Sequence, residues 1–228
     1  MDDTTLALIL TLLATAGFGG LIALSWRLER CAAEGRQALA RRRGLMFDTI
    51  APQRGRAGRY VFTDTARGMV LEIIRRRSSK GSSHDGGCAL RLSQPRLQEG
   101  LAIWVHGMPG GLGAQLQQLG GMLELGPVQA LLRRVLGDDI APQLPHLREV
   151  PLPDVPGLTL LTNADPARLP PAGPILAALE ALPERNGRPV FAYLDAGGLT
   201  LRLTKAITNP AGIEALLDAG LALHRALR

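Results

Sequence analysis

The segment Leu6–Trp26 is an uncharged run of 21 residues, and no other feature constrains the fold as strongly. At about 1.5 Å per residue, a helix of this length reaches roughly 31 Å, close to the ~30 Å hydrocarbon core of a bilayer. Trp26 closes the run where an amphipathic ring would lie among lipid headgroups. The sequence therefore predicts a transmembrane anchor over residues 1–26.

Two other interpretations of this run remain open. A cleaved signal peptide could end at Ala14-Thr15-Ala16, which has the small-x-small form of a cleavage site. Its first region would be acidic, with Asp2 and Asp3, and the apolar run continues for ten residues beyond that site. A buried core helix is the other alternative, although 21 uncharged residues are long for one.

The net charge of +6 is concentrated just after the apolar run. Between Arg27 and Arg59 there are nine arginines and three acidic residues, which accounts for the whole excess. The positive-inside rule then places the N-terminus outside the cell and the main domain in the cytoplasm. The predicted location is the cell (inner) membrane, crossed once. The residues predicted to lie on anionic headgroups are Arg27, Arg30, Arg36, Arg41, Arg42 and Arg43. Apart from Phe47 the cluster has no interleaved aromatic residue, and it has no recognised binding motif, so it does not indicate nucleic acid.

Small residues recur along one face of the predicted anchor. Thr15, Gly19 and Ala23 are four apart, a spacing that lets two helices approach closely and predicts self-association. The alternative is that glycine and alanine are simply common in membrane helices.

Downstream of the anchor, the pattern predicts a basic stalk and loop over residues 27–58 and an α+β domain over 59–228. The stalk continues the helix to Gly44, and Met46–Gly58 is predicted as a loop. The predicted strands are Arg59–Thr63, Met69–Arg75, Ala89–Ser93, Leu101–His106, Leu158–Thr162, Val190–Leu194 and Leu199–Thr204. The predicted helices are Leu112–Leu125, Pro127–Leu136, Ala172–Leu182 and a final one capped by Asn209.

The joins between these elements favour a mainly antiparallel sheet packed with helices. The Pro-rich stretch near 140–157 could divide residues 59–228 into two halves. In the last helix, five apolar positions share one face, which predicts packing on the sheet: Ile213, Leu216, Leu217, Gly220 and Leu221.

Four segments carry a resemblance to known proteins: ARRRGLMF at 40–47, RYVFTDTARGMVLEI at 59–73, GLTLLTNADPARL at 157–169 and the final stretch 199–227. Their order resembles a loose group of uncharacterised bacterial single-pass membrane-anchored proteins with a cytoplasmic α+β domain. The resemblance implies an architecture and no activity.

No catalytic motif in the sequence is complete. His106-Gly107 and the glycines up to Gly113 resemble an oxyanion loop, but no serine lies in the GxSxG setting that this chemistry needs. Cys88 precedes a strand and does not sit on an elbow. His84, Asp85 and Cys88 lack further metal ligands at matched spacing, and Asp138-Asp139 fits a helix end better than an acid–base pair. No cofactor or metal is predicted.

The sequence thus predicts a membrane-tethered, non-enzymatic protein-interaction module, either an accessory subunit or an assembly scaffold. Its partners would be the anionic bilayer and a protein. The alternative is a membrane-anchored small-molecule or lipid-handling enzyme or sensor that uses the Gly107–Gly113 loop.

Overall fold

The computed structural model describes residues 3–53, 57–74, 86–106, 143, 146–182 and 190–228, with side chains of the first helix given at position 20 and from 24 onward. The helices are α1 (Asp3–Arg43), α2 (Ala172–Ala181) and α3 (Pro210–Ala226), with a 3-10 turn at Pro166–Arg168. The strands are β1 (Met46–Ile50), β2 (Arg59–Asp64), β3 (Met69–Ile74), β4 (Gly87–Leu92), β5 (Ala102–His106), β6 (Arg148–Val150), β7 (Leu158–Thr162), β8 (Val190–Asp195) and β9 (Gly198–Leu203).

The described strands form one sheet in the order β1-β2-β3-β4-β9-β8-β5-β7-β6, and each neighbouring pair is antiparallel. The predicted α+β fold with a mainly antiparallel sheet is therefore confirmed. Pairing of β4 with β9 joins the N-terminal meander to the C-terminal hairpin in a single sheet.

One face of the sheet carries the hydrophobic core. Strand pairing aligns a row of buried side chains across it, because residues opposite one another in an antiparallel ladder point to the same side. The row consists of Phe62, Leu71, Leu90, Leu201, Ala192, Trp104 and Leu160. The opposite face differs along the sheet: in β5 and β8 it is also buried, whereas in β2 and β3 it is half-buried.

Helix α3 covers this core through the predicted apolar face. Four of its five predicted positions are buried, and Leu221 is half-buried. A Cβ at Gly220 would overlap Leu90, so the glycine lets the helix backbone come close to the sheet. The predicted start signal is also confirmed, since Asn209 Oδ1 accepts a hydrogen bond from Gly212 N at 2.7 Å.

The predicted end of α1 at Gly44 is confirmed. Gly44 has a positive φ of 66°, and Leu45 N donates to Ala40 O while Gly44 N donates to Arg41 O. These two bonds form the Schellman arrangement, which satisfies carbonyls that a helix end leaves free. The chain therefore leaves α1 in a defined direction and enters β1.

The predicted transmembrane anchor is corrected. Among the residues that the structure describes, no helix is long and apolar enough to cross a membrane. Helix α1 includes Leu6–Trp26, but side chains at 1–19 and 21–23 lie outside the described residues. The predicted inner-membrane location and orientation depended on that span.

Two further expectations differ from the structure. The loop predicted over Met46–Gly58 begins with strand β1, and the Pro-rich connection contains strand β6. Both strands lie at the ends of the sheet, where one side has no neighbour to impose a full burial pattern. The helices predicted at Leu112–Leu125 and Pro127–Leu136 lie outside the described residues.

Candidate interaction surface

Arg36, predicted to lie on lipid headgroups, is buried in the domain with only 3% of its surface exposed. Its guanidinium lies 4.1 Å from the centre of the Tyr60 ring, and Nη2 donates to Tyr60 Oη at 3.1 Å. Nη1 donates to the Thr208 carbonyl at 3.3 Å. Arg36 thus joins α1 to β2 and to the segment before α3, and this contact leaves it no access to a lipid surface.

Arg42 and Arg43 pair with acidic residues of α3. Arg42 Nη2 lies 2.9 Å from Glu214, and Arg43 lies 2.7 Å from both Glu214 and Asp218. The hydrogen bonds that Arg43 donates to Asp218 and Glu214 raise the pKa of Arg43, and the hydrogen bond that Glu214 accepts from Arg43 lowers the pKa of Glu214. Both arginines therefore bind acidic side chains of the domain itself, and their predicted place on headgroups stays a prediction.

The other predicted surface arginines are exposed on α1. Arg27 and Arg41 are open to solvent, and Arg30 pairs with Glu34 at 3.2 Å. Their role at anionic headgroups stays a prediction. The predicted helix-packing residues Thr15, Gly19 and Ala23 have side chains outside the described residues.

His106 and Cys88 do not meet. Strands β9 and β8 lie between β4, which carries Cys88, and β5, which carries His106, so about 14 Å of sheet separates them. Cys88 is buried, and its Sγ accepts a hydrogen bond from Ile207 N at 3.1 Å. His106 Nδ1 lies 3.2 Å from the Gly157 carbonyl. This separation excludes a direct His–Cys hydrogen bond.

His84, Asp85, Asp138, Asp139 and the Gly107–Gly113 loop lie outside the described residues. In the part of the chain that the structure covers, no group of three or more His, Cys, Asp or Glu side chains could hold a metal ion.

Strand β1 forms one end of the sheet, and its two sides differ in exposure. Phe47 packs toward the core, with its ring 4.8 Å from Phe62 and 6.1 Å from Tyr60. On the other side, Met46 is 60% exposed and Ile50 is 42% exposed. Large apolar side chains on an uncovered edge strand indicate a place for pairing with another chain.

Asp48 lies between these two apolar side chains on the same side of β1. It is exposed, and it forms no ion pair with any described residue. The nearest strand residues on that side are Val61 opposite Asp48, and Arg59, which instead pairs with Glu72 at 3.2 Å. The exposed side of β1 therefore presents an apolar residue, a free carboxylate and a second apolar residue. We call Met46, Asp48 and Ile50 the β1 triplet.

The sequence carried a weak signal for this surface. Phe47, Thr49 and Ile50 favour strands, and the segment lies between Gly44 and Pro52, which are turn residues. Asp48 shares one side of the strand with the apolar Met46 and Ile50, so the residues of this segment do not alternate cleanly between apolar and polar. Such a weak pattern is expected for an edge strand, because one side and part of the other are exposed.

Comparison of the chain with family models, curated proteins and solved structures finds no match.

Proposed function

We propose that this chain is a non-enzymatic protein-interaction module that binds an extended segment of a partner protein along β1. The exposure of Met46 and Ile50 on an end strand carries the proposal. β1 pairs only with β2 among the described strands, so about half of its backbone N–H and C=O groups face away from the sheet. A partner strand would satisfy those groups by strand addition.

The β1 triplet defines the chemistry of the partner segment. Residues two apart on a strand share a face, so an apolar–x–basic–x–apolar segment would place apolar side chains over Met46 and Ile50. Its basic residue would then lie opposite the Asp48 carboxylate. Opposite charges across an antiparallel pair stabilise the pair, and like charges oppose it.

A second copy of this chain fits the strand less well. Self-pairing about a twofold axis at Asp48 aligns all five strand residues but places the two carboxylates directly opposite one another. Shifting the axis to Phe47 or Thr49 leaves only three aligned residues from each strand. Charge complementarity therefore favours a different partner over a homodimer.

The first prediction concerns peptide binding at β1. A peptide with the core Val-Thr-Lys-Thr-Val should perturb the backbone amide NMR signals of Met46–Ile50, and the matched peptide with Glu in place of Lys should bind more weakly. A cross-strand charge pair is worth up to about 1 kcal/mol, which corresponds to a preference of about two- to fivefold. Asp48→Lys should reverse the preference because it reverses the sign of the pair.

The matched control is Asp154→Lys, which makes the same charge change in an exposed residue between β6 and β7, at the other end of the sheet. It should leave both the preference and the affected amides unchanged. Signal changes spread away from β1, or a preference that survives Asp48→Lys, would refute the proposed surface.

A further inference from the structure

A cleft of about 440 Å³ opens between the β2–β3 turn, the segment after β4 and the C-terminal end of α3. Its lining residues include none of the β1 triplet, so it is separate from the proposed interaction surface. The side chains that matter in the cleft are Arg67 from the turn, Ser93 after β4, and His224 and Arg228 from the end of the chain.

His224 is the buried polar group of this cleft, with only 9% of its surface exposed. Its Nε2 has no hydrogen-bond partner in the described structure. A buried nitrogen without a partner is costly, so it indicates that something outside the chain completes its bonding. His224 lines the cleft together with the exposed Arg228, which places this unpartnered imidazole at the wall of the cleft.

Two guanidinium groups give the cleft a positive character. Arg67 Nη1 donates to Asp64 Oδ2 at 2.7 Å, which uses one of its five N–H donors, and the side chain is 50% exposed. Burial lowers the pKa of His224, and the charges of Arg228 and Arg67 lower it further while Asp64 opposes them. The imidazole is therefore neutral at pH 7, and the positive charges of both guanidinium groups disfavour its protonation.

The turn at Gly68 holds a hydroxyl group at the cleft. Gly68 has a φ of 60°, and a Cβ there would overlap Ser93 Oγ. Ser93 N donates to the Gly68 carbonyl at 2.9 Å, which fixes the two segments side by side. Ser93 Oγ itself has no hydrogen bond to a described residue, so it can donate to a ligand.

We propose that this cleft binds the phosphate of a small phosphorylated molecule. Guanidinium groups match phosphate oxygens in geometry and charge, and the Ser93 hydroxyl and the His224 imidazole add donors. The volume of the cleft lies in the range of small-molecule sites, which leaves room for an organic body beyond the phosphate.

Charge balance assigns a second role to His224. Arg67 pairs with the Asp64 carboxylate, and Arg228 follows the C-terminal end of α3, which acts as about half a negative charge. The net positive charge that the cleft offers to an anion is therefore small until His224 takes up a proton. Anion binding should raise the pKa of His224 from its lowered value in the free protein, and by linkage binding should tighten as the pH falls through the raised pKa of the bound state.

The second prediction is measured by titration calorimetry of the full chain with ribose 5-phosphate and with inorganic phosphate. Ribose 5-phosphate should bind more tightly, and Arg228→Gln should weaken its binding about tenfold or more because a charge-assisted bond is lost. Arg225→Gln is the matched control, since Arg225 is also exposed on α3 but does not line the cleft. It should leave the affinity unchanged.

The pH dependence is tested with sulfate, which keeps its double charge between pH 8 and pH 6. Its affinity should rise about three- to tenfold over that range in the wild-type chain and stay constant in His224→Gln. No binding of ribose 5-phosphate, or equal weakening by Arg228→Gln and Arg225→Gln, overturns the site. Equal affinity for both phosphates overturns the assignment to a phosphorylated organic molecule.

Discussion

Arg36 brings a positive charge into the interior of the domain, and no carboxylate pairs with it among the described residues. Its contacts are the Tyr60 ring, the Tyr60 hydroxyl and the Thr208 carbonyl, while Nε remains without a partner. The weakly hydrated, planar guanidinium tolerates such a site better than an ammonium group does. The charge is therefore held by stacking and two neutral acceptors.

The third prediction compares Arg36→Met with Arg36→Lys. Methionine keeps most of the aliphatic volume and removes the desolvated charge, whereas lysine keeps the charge and loses the planar stacking over Tyr60. We expect the lysine variant to be less stable than the methionine variant by at least about 1 kcal/mol in urea unfolding. Arg27→Met, at an exposed position of the same helix, should lie within about 0.5 kcal/mol of wild type. Equal stability of the two Arg36 variants would show that a buried charge without the guanidinium stack has no cost at this site.

The environment of Arg36 could have been predicted in part from the sequence. Arg36, Leu39, Ala40 and Arg43 fall at the spacing of one helical face, and Leu39 and Ala40 are buried. A mixed face of this kind indicates packing against a domain, but the adjoining apolar run favoured a membrane interpretation. The partners themselves, Tyr60 and Thr208, are distant in sequence, so no local pattern identifies them.

At the scale of elements, strands that are buried on at least one face could be predicted, and end strands could not. The alternation in Arg59–Asp64 and Met69–Ile74 matches their burial, because one face meets the core and the other is half-buried. β1 and β6 lack a second neighbour, so their patterns are short and weak. The β1 triplet was not predicted because an end strand has only one neighbouring strand, and this same position in the sheet leaves the triplet exposed.

The fourth prediction concerns two helical glycines in different surroundings. A Cβ at Gly220 of α3 would overlap Leu90 and approach Met69 Sδ to 3.2 Å, so Gly220→Ala should destabilise the fold by about 1–3 kcal/mol. Apart from its chain neighbours, a Cβ at Gly173 of α2 meets nothing within 4 Å. Helix propensity favours alanine there, whereas the following Pro174 disfavours a helical alanine before it, so Gly173→Ala should change stability by less than about 1 kcal/mol. Thermal unfolding followed by circular dichroism measures both, and a stabilising Gly220→Ala would contradict the close approach of α3 to the sheet.

At the scale of the whole molecule, the order of strands was beyond sequence reasoning. β4 pairs with β9 across more than a hundred residues, and β5 lies between β8 and β7. These pairings are set by which apolar faces can be buried together, and many orders satisfy the same alternation. The sequence predicted the type of sheet and the capping of α3, whereas both candidate binding surfaces depend on the tertiary arrangement.

The fifth prediction concerns where the folded unit begins. The sequence placed the start of the α+β domain at residue 59, but Leu39 and Ala40 of α1 are buried, Phe47 packs on Tyr60 and Phe62, and Arg43 pairs with α3. A chain that begins at Arg59 loses all of these contacts and exposes one side of β2. Because burying a single large apolar side chain contributes about 1.5–3 kcal/mol, its free energy of unfolding should fall by at least about 3 kcal/mol relative to a chain that begins at Ala32.

Urea unfolding of the two truncated chains, monitored by circular dichroism, measures this difference directly. Arg43→Gln in the chain that begins at Ala32 provides an intermediate case, because it removes the ion pairs with Glu214 and Asp218 but keeps the apolar contacts. Its loss should be about 1 kcal/mol or less, since exposed ion pairs contribute little. If the chain that begins at Arg59 unfolded at the same urea concentration as the longer one, the helix would be a separate arm, and the contacts of Leu39 and Phe47 would not hold the domain together.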